Sequence, residues 1–206
     1  MVSIIDYGMG NIQSLSNSLR YLDIQYQIIN EPQAIIDSAK LILPGVGSFR
    51  KAMQNLTETG IRDALHEAVL IKQIPILGIC LGMQMLAEES TEDGKTAGLG
   101  WVKGKVEHFS VDETNIKIPH IGFNSVSVAC NNSVLFSGIP DLSDFYFIHS
   151  YRMQCDLNDD IAGTCQYGTV FTAAIERNNI FGTQFHPEKS QLNGLTVLRS
   201  FVKWRG

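Results

Sequence analysis

Cys80 is the residue whose type and setting most clearly predict chemistry. It stands between Gly78 and Gly82, after an apolar run at residues 74–77 that has the pattern of a buried strand. We expect a helix over residues 83–89 directly afterwards. Glycines relieve the crowding at such a sharp strand-to-helix turn, and the first N–H groups of a helix favour a thiolate over a thiol. The pattern therefore predicts a nucleophilic cysteine.

His186 and Glu188 supply the two other groups that a cysteine nucleophile needs. They follow a strand-like run at residues 179–183, and Pro187 between them fixes the local backbone. A histidine can take the thiol proton and return it to a leaving group, while a carboxylate orients the ring. His-Pro-Glu alone fits a surface turn, and Cys80 alone fits an inert core cysteine. Together they predict a Cys–His–Glu triad.

Residues 43–49 predict half of an oxyanion hole at the end of an apolar strand over residues 40–43. Acyl chemistry places negative charge on a carbonyl oxygen, and backbone N–H groups must already point at that oxygen. The glycines around Val46 allow the backbone to turn its amides outward. The candidate donors are the N–H groups of Val46 and Leu81, and an ordinary strand-ending turn is the alternative interpretation of residues 43–49.

The elements that position these residues change in character halfway along the chain. Strands and helices alternate in the first half, which favours a parallel sheet with ligands beyond the carboxyl ends of its strands. The second half has short strands with polar turns, which favours antiparallel pairing, and then a closing helix. The expected strands cover residues 2–6, 25–29, 40–43, 103–109, 125–129, 145–149, 161–166 and 170–176, and the expected helices cover residues 11–22, 32–38, 49–55, 61–72 and 192–204.

Composition narrows the class of protein. The chain has 206 residues, of which 44% are apolar and 18% charged, and its net charge is −5. We expect one domain over residues 1–206 and no membrane span. We also expect no nucleic-acid binding, because proteins that bind nucleic acids usually have a basic surface. Residues 1–6 have no basic stretch before their apolar run and predict a strand rather than a signal peptide, hence a cytoplasmic protein.

The four cysteines predict neither disulfides nor a metal site. Cys80, Cys130, Cys155 and Cys165 form no Cys-x-x-Cys pair, and no histidine cluster accompanies them with zinc spacing. We expect three of them to be ordinary reduced thiols, and we expect no metal and no cofactor.

The nucleophile, base and oxyanion segments, in this chain order, resemble those of the class I (triad) glutamine amidotransferases. Within that family, residues 5–11, 44–49, 119–124, 149–152 and 186–190 look like the branch formed by the glutaminase subunits of imidazole glycerol phosphate synthases. The resemblance covers essentially the whole chain. It implies a three-layer, flavodoxin-like α/β fold with a mostly parallel central sheet. One departure is Phe123, where the family commonly has tryptophan.

The resemblance also implies a reaction. Cys80 attacks the side-chain amide carbon of L-glutamine, His186 protonates the departing ammonia, and water then releases glutamate from the thioester. Gln84, one turn after Cys80, and Gly47 are expected to contact the substrate. Glu92 matches a family position that pairs with the α-ammonium group, although its acidic surroundings also fit a solvated helix end.

A partner is implied as well. In this branch of the family a separate (β/α)8-barrel cyclase receives the ammonia through a protected channel, in a heterodimer of the histidine pathway. The cyclase converts a ribulosyl-formimino nucleotide into imidazole glycerol phosphate and an aminoimidazole carboxamide ribotide. The candidate interface comprises residues 8–11, 119–124 and 146–152 together with Lys189. Our hypothesis is that the partner reshapes the backbone around Val46 and so gates hydrolysis.

Three alternatives remain at this point. The first is a paralogous glutaminase that feeds a synthase amidating a surface-polysaccharide sugar, which Phe123 leaves open. The second is a stand-alone cysteine hydrolase acting on peptides or γ-glutamyl conjugates, against which the position of Gln84 and the interface motifs count. The third is a non-enzymatic subunit, which the intact set of Cys80, His186 and Glu188 disfavours.

Overall fold

A computed structural model of the chain describes residues 1–109, 116–130 and 132–206. Its strands form one nine-stranded sheet and one four-stranded sheet. In chain order the strands are β1 (Val2–Ile5), β2 (Tyr26–Ile29), β3 (Leu41–Gly45), β4 (Ile76–Cys80), β5 (Ala87–Ser90), β6 (Thr96–Ala97), β7 (Val102–His108), β8 (His120–Val128), β9 (Ser143–His149), β10 (Tyr151–Cys155), β11 (Ile161–Tyr167), β12 (Thr169–Arg177) and β13 (Ile180–Thr183).

Two of the helices begin at a residue whose side chain caps them. The Asn11 side chain accepts a hydrogen bond from the Ser14 N–H at the start of the first helix, and Ser48 does the same at the start of the third. The α-helices are α1 (Ile12–Tyr21), α2 (Pro32–Ile36), α3 (Phe49–Glu58), α4 (Ile61–His66), α5 (Leu81–Gln84) and α6 (Gln191–Lys203). Over the described ranges, none of the helices has the length and apolar character that crossing a bilayer requires.

The large sheet has the strand order β2-β1-β3-β4-β13-β12-β11-β8-β9. Strands β2, β1, β3, β4 and β13 are parallel to their neighbours in that run, whereas the strands from β13 to β9 pair antiparallel. The small sheet has the order β10-β7-β5-β6. The predicted α/β class is confirmed. The large sheet is mixed, and β13, although it lies late in the chain, pairs in parallel with β4.

Helices cover both faces of the large sheet, which gives three layers. On one face α1 and α6 pack Leu15, Leu19 and Phe201 against alternate strand residues such as Ile4 and Leu77. On the other face α2, α3 and α4 pack against the residues that point the opposite way, including Ile5 and Leu43. Burial on both faces explains why the central strands β3 and β4 are nearly continuous apolar runs in the sequence.

The chain after Cys80 differs from its predicted structure. A helix was expected over residues 83–89, but α5 ends at Gln84 and Ala87–Ser90 forms β5. The β5 strand pairs in parallel with β7, and the N–H groups of Trp101 and Val102 donate to the Leu86 carbonyl. These tertiary hydrogen bonds replace the helical ones, so local helix propensity is overridden.

Two glycines make the turn into α5 possible. A Cβ on Gly82 would lie 1.8 Å from the Leu43 backbone oxygen, and a Cβ on Gly78 would lie 2.7 Å from the Gly82 carbonyl carbon. Strand β3 and the start of α5 therefore approach each other more closely than any side chain permits. This contact sets where the end of β4 lies relative to the end of β3.

We expect Gly82→Ala to destabilise the protein by more than about 3 kcal/mol, because the obstacle is rigid backbone rather than a flexible side chain. Gly100→Ala is the control, since Gly100 has a φ of +71° and open space around it. That control should cost only the backbone strain of about 1–2 kcal/mol. Denaturant unfolding measures both, and equal losses would contradict the steric account.

Candidate active site

Cys80 is the last residue of β4 and lies in a strained turn. Its φ of 54° and ψ of −109° fall where non-glycine residues are rarely found. The residue is 6% exposed, and Leu81 directly after it is the first residue of α5. The N–H of a first helical residue has no acceptor within its own helix, so the Leu81 amide is available beside the sulfur.

His186 and Glu188 are joined by a buried hydrogen bond. The Nδ1 atom of His186 lies 2.8 Å from Oε1 of Glu188, and the two side chains are 2% and 3% exposed. The His186 N–H donates to the Tyr146 carbonyl at 2.9 Å, and Pro187 opens the 3-10 turn Pro187–Lys189 that carries Glu188. Since Nδ1 is directed to the carboxylate, Nε2 is the ring nitrogen left for proton transfer.

The His186 ring has a raised pKa. Burial alone would lower it from the ordinary value of 6.5, but interactions with Cys80 and, secondarily, with Glu188 outweigh burial and raise it. The imidazolium is therefore favoured when the sulfur and the carboxylate are both negative. This is the charge state that a general acid needs for protonating a leaving amine.

One cleft of about 390 Å³ collects nearly all the residues predicted to form the site. Seven of the predicted residues line it, while Glu188 lies behind His186. A larger groove of about 790 Å³ lies elsewhere, but its Lys40 ammonium donates to the carbonyls of Phe201, Val202 and Trp204 and so caps the end of α6. The cleft is lined by the predicted Val46, Gly47, Cys80, Leu81, Gln84, Glu92 and His186, together with Ile148, His149, Ser150, Tyr151 and Lys189.

The Val46 amide has a partner within the protein. Its N–H donates to the Met9 carbonyl at 3.0 Å and is therefore not directed at a substrate in this conformation. The next residue, Gly47, has a φ of +99°, which a residue with a side chain would adopt only under strain. The sequence revealed a turn-prone segment here, but not that the Met9 carbonyl would compete for the amide.

Glu92 lies at the rim of the cleft, in a setting that differs from a solvated helix end. Its Oε2 accepts a hydrogen bond from the Phe49 N–H at 2.9 Å, which caps α3 from outside that helix. Burial raises the pKa of this carboxyl, and the Phe49 N–H partly opposes that shift. One oxygen of Glu92 is thus committed to the fold, and the other is the one that a ligand can use.

Gln84 and Gln184 form a buried amide pair next to Cys80. Gln84 Nε2 donates to the Tyr151 carbonyl at 2.9 Å and to Gln184 Oε1 at 3.1 Å. Gln184 Nε2 in turn lies 3.6 Å from Cys80 Sγ. Gln184 was not predicted as a site residue. Its position two residues before His186 is the available signal, because alternate residues of an extended segment share a face.

His149 and His120 form a second buried pair at the back of the cleft. His149 Nδ1 lies 2.8 Å from the Tyr151 carbonyl, which only accepts, so His149 Nε2 is unprotonated and accepts from His120 Nδ1 at 3.1 Å. Burial lowers the pKa of His149 to about 3 and that of His120 to about 4. Both rings are neutral near pH 7, which suits an architectural role rather than proton transfer.

Comparisons with known proteins agree with this geometry. The family model Glutamine amidotransferase class-I matches residues 3–204. The chain belongs to the class I glutamine amidotransferases, and it is accordingly a glutamine-hydrolysing amidotransferase. A solved structure of PurLQS from Thermotoga maritima shares the fold, with a TM-score of 0.75, 17% identity, and coverage of 98% of this chain and 96% of that chain.

Two relatives are more similar in sequence. Imidazole glycerol phosphate synthase subunit HisH of Leptospira interrogans is 46% identical over 204 residues, covering 98% of this chain and 99% of the relative. Imidazole glycerol phosphate synthase subunit HisH 2 of Vibrio vulnificus (strain YJ016) is 45% identical over 204 residues, covering 98% of this chain and 94% of the relative. Both alignments therefore span nearly complete chains.

We expect Glu188→Gln to lower kcat for glutamine hydrolysis about 10³- to 10⁴-fold with little change in KM, because a neutral amide neither fixes the His186 tautomer nor stabilises its charge. Steady-state ammonia release measures this loss. Glu31→Gln is the charge-matched control, since Glu31 is exposed and its side chain makes no capping hydrogen bond. A Glu188→Gln variant with near-native kcat would contradict the role of the carboxylate.

We also expect the His186 pKa to fall in Cys80→Ala. The interaction with Cys80 raises that pKa while burial lowers it, so removal of the sulfur leaves burial opposed by Glu188 alone. Below the wild-type pKa the native ring is charged, and the variant ring should become neutral at lower pH. Imidazole ¹⁵N chemical shifts followed against pH report the charge directly. An unchanged midpoint would show that sulfur and ring do not interact.

Proposed function

We propose that this chain is the glutaminase subunit of an imidazole glycerol phosphate synthase, and that Cys80, His186 and Glu188 carry out the hydrolysis. The observation that carries the proposal is the arrangement in the cleft. A strained cysteine at the end of β4 shares it with a histidine whose other ring nitrogen is bound to a buried carboxylate at 2.8 Å. Nearly full-length relatives named as this subunit support the same function.

The reaction proceeds through a thioester. The Cys80 sulfur attacks the amide carbon of L-glutamine, and a tetrahedral oxyanion forms. His186 donates its Nε2 proton to the leaving nitrogen, so that ammonia departs and the γ-glutamyl group stays on sulfur. The neutral ring then takes a proton from water, hydroxide attacks the thioester, and glutamate leaves with Cys80 regenerated.

Three residues at the cleft are suited to hold the amino-acid end of glutamine. Both N–H donors of Gln84 are used within the protein, which leaves its carbonyl oxygen for a donor on the substrate. The second carboxylate oxygen of Glu92 is suited to the α-ammonium group, because its partial burial strengthens charge pairing. At Gly47 the absent side chain allows the backbone to approach the ligand.

The oxyanion requires a change at Val46. Leu81 supplies one N–H as the structure stands, whereas the Val46 N–H is held by the Met9 carbonyl. Breaking that hydrogen bond and turning the peptide would supply the second donor, and Gly47 makes such a turn feasible. Because one such donor is worth about 10²- to 10³-fold in kcat, the isolated chain is slow until the peptide turns.

The acceptor of the ammonia is a separate cyclase subunit, for which a (β/α)8 barrel is the expected fold. An exposed apolar surface lies on β8 and β9 near the cleft, where Ile121 and Phe123 are 57% and 50% exposed. Phe123 packs edge-on against Tyr146, and the Lys189 ammonium lies over the Tyr146 ring. Such a surface suits a protein partner, which would also keep ammonia away from water.

We place the enzyme in the cytoplasm, in line with its four free cysteines.

A second candidate keeps the glutaminase chemistry and changes the synthase. Phe123 stands in the exposed surface where the family commonly has tryptophan, so the partner-contacting side chain itself is altered. The Vibrio vulnificus relative is numbered as a second subunit of its kind. The paralogous glutaminase that serves a sugar-amidating synthase is therefore the alternative.

The chemistry is tested by ammonia release from L-glutamine. We expect Cys80→Ala to abolish it, because no other group in the cleft can form the thioester, whereas Cys130→Ala, at an exposed thiol, should retain it. The cyclase of the same organism should co-purify with the chain and raise its glutaminase rate about 10²- to 10³-fold when its nucleotide substrate is bound.

Ammonia release and activation by the cyclase are separate measurements, and each can contradict a different part of the proposal. Ammonia release that survives in Cys80→Ala would remove the thioester mechanism. Unchanged rates in a formed complex would remove the gating of Val46 but leave the triad. Binding to a sugar-amidating synthase instead of the cyclase would select the second candidate.

A further inference from the structure

Gln184 is a fully buried polar residue in direct contact with the nucleophile. Its Nε2 lies 3.6 Å from Cys80 Sγ, and its Oε1 accepts from Gln84 Nε2 at 3.1 Å. The amide thus connects the sulfur to the residue suited to hold the substrate. A buried amide is costly unless its groups are bonded, so these contacts define its environment.

The direction of this hydrogen-bond chain is fixed by a backbone group. The Tyr151 carbonyl only accepts, so the amide nitrogen of Gln84 must face it at 2.9 Å. The second N–H of that nitrogen then donates to the Gln184 oxygen. With its oxygen so engaged, Gln184 turns its own N–H groups toward the sulfur. The opposite orientation would set two donors against each other and an oxygen against Cys80.

The rest of the sulfur's surroundings makes this donor important. The Ile148 carbonyl oxygen lies 3.9 Å from Sγ and can accept from a thiol but would repel a thiolate. Helix α5 has four residues, so its aligned peptides are few and their dipole is short. A buried neutral N–H pointing at the sulfur offsets the Ile148 carbonyl, because hydrogen bonds to charged groups are the stronger ones.

We propose that Gln184 is a positioning residue that holds Cys80 in its reactive anionic form and links that form to occupancy of Gln84. When a donor binds the Gln84 carbonyl oxygen, the amide polarises, and its N–H groups become stronger donors. The effect passes to the Gln184 amide and strengthens its hydrogen bond to the sulfur. This inference rests on the proposed function, because the linkage to Gln84 serves glutamine hydrolysis. The contacts from which it is argued are those of the chain by itself.

Alkylation of Cys80 by iodoacetamide, followed by mass spectrometry in the free chain, tests the proposal without glutamine turnover. In Gln184→Met, which keeps length but loses both polar contacts, Cys80 should react about three- to tenfold more slowly at pH 7. The deficit should close as pH rises and the thiols of both proteins ionise. The exposed Cys130 in the same sample provides the internal reference for reagent and pH.

Gln27→Met is the matched control. Gln27 is half-buried and loses one side-chain hydrogen bond, to Ser3 Oγ on the neighbouring strand. Its Cys80 alkylation profile should match that of the native chain. Gln184→Glu is the second variant should Gln184→Met fail to fold. It keeps the shape and the acceptor for Gln84 but loses the amide N–H, and its deficit should be at least as large.

The result that overturns the proposal is a folded Gln184 variant whose Cys80 reacts at the native rate at neutral pH, with folding judged by circular dichroism. A deficit that persists unchanged at high pH would also overturn it, since that would indicate blocked access rather than a lost thiolate. Neither outcome depends on whether ammonia is released. The proposed glutaminase function, in contrast, fails if the native chain in complex with the cyclase releases no ammonia from L-glutamine.

Discussion

The close approach of two backbones under Cys80 is the constraint on which the site depends. Because Gly82 has no Cβ, the start of α5 lies against the Leu43 carbonyl, and the chain can turn with Cys80 at a φ of 54°. Strands β3, β4 and β13 are parallel neighbours, so their carboxyl ends reach the same edge of the sheet. The oxyanion segment, the nucleophile and the segment leading to His186 therefore meet, although they lie far apart in the sequence.

The charges around His186 then determine which proton transfers these residues can carry out. His186 is buried between a sulfur and a carboxylate, and together these raise its pKa against the effect of burial. The nearby His120 and His149 lose their charge to burial, so they do not compete with His186 for protons or repel its positive form. All three rings are largely shielded from water, so His186 differs from the two neutral rings because the Cys80 sulfur and the Glu188 carboxylate lie beside it.

Residues at the rim of the cleft make hydrogen bonds that also hold the surrounding fold. Glu92 caps α3 through the Phe49 N–H, and Val46 is held by the Met9 carbonyl. Each of these groups has a structural partner that a ligand or a conformational change would have to replace or share. Under the proposed gating, a slow state and an active state would therefore differ by only a few hydrogen bonds.

The sequence by itself determined the α/β class and the alternation of elements in the first half, and it singled out Cys80, His186 and Glu188 as the candidate triad. These follow from local information: apolar periodicity, glycines that relieve a tight turn, and residue types that suit acyl chemistry. Only the tertiary structure decided that residues 87–90 form a strand, that the Val46 amide is engaged by Met9, and that Gln184 touches the sulfur. The physical reason is that each of these features depends on hydrogen-bond partners that are distant in the chain. Local sequence propensity does not specify those partners.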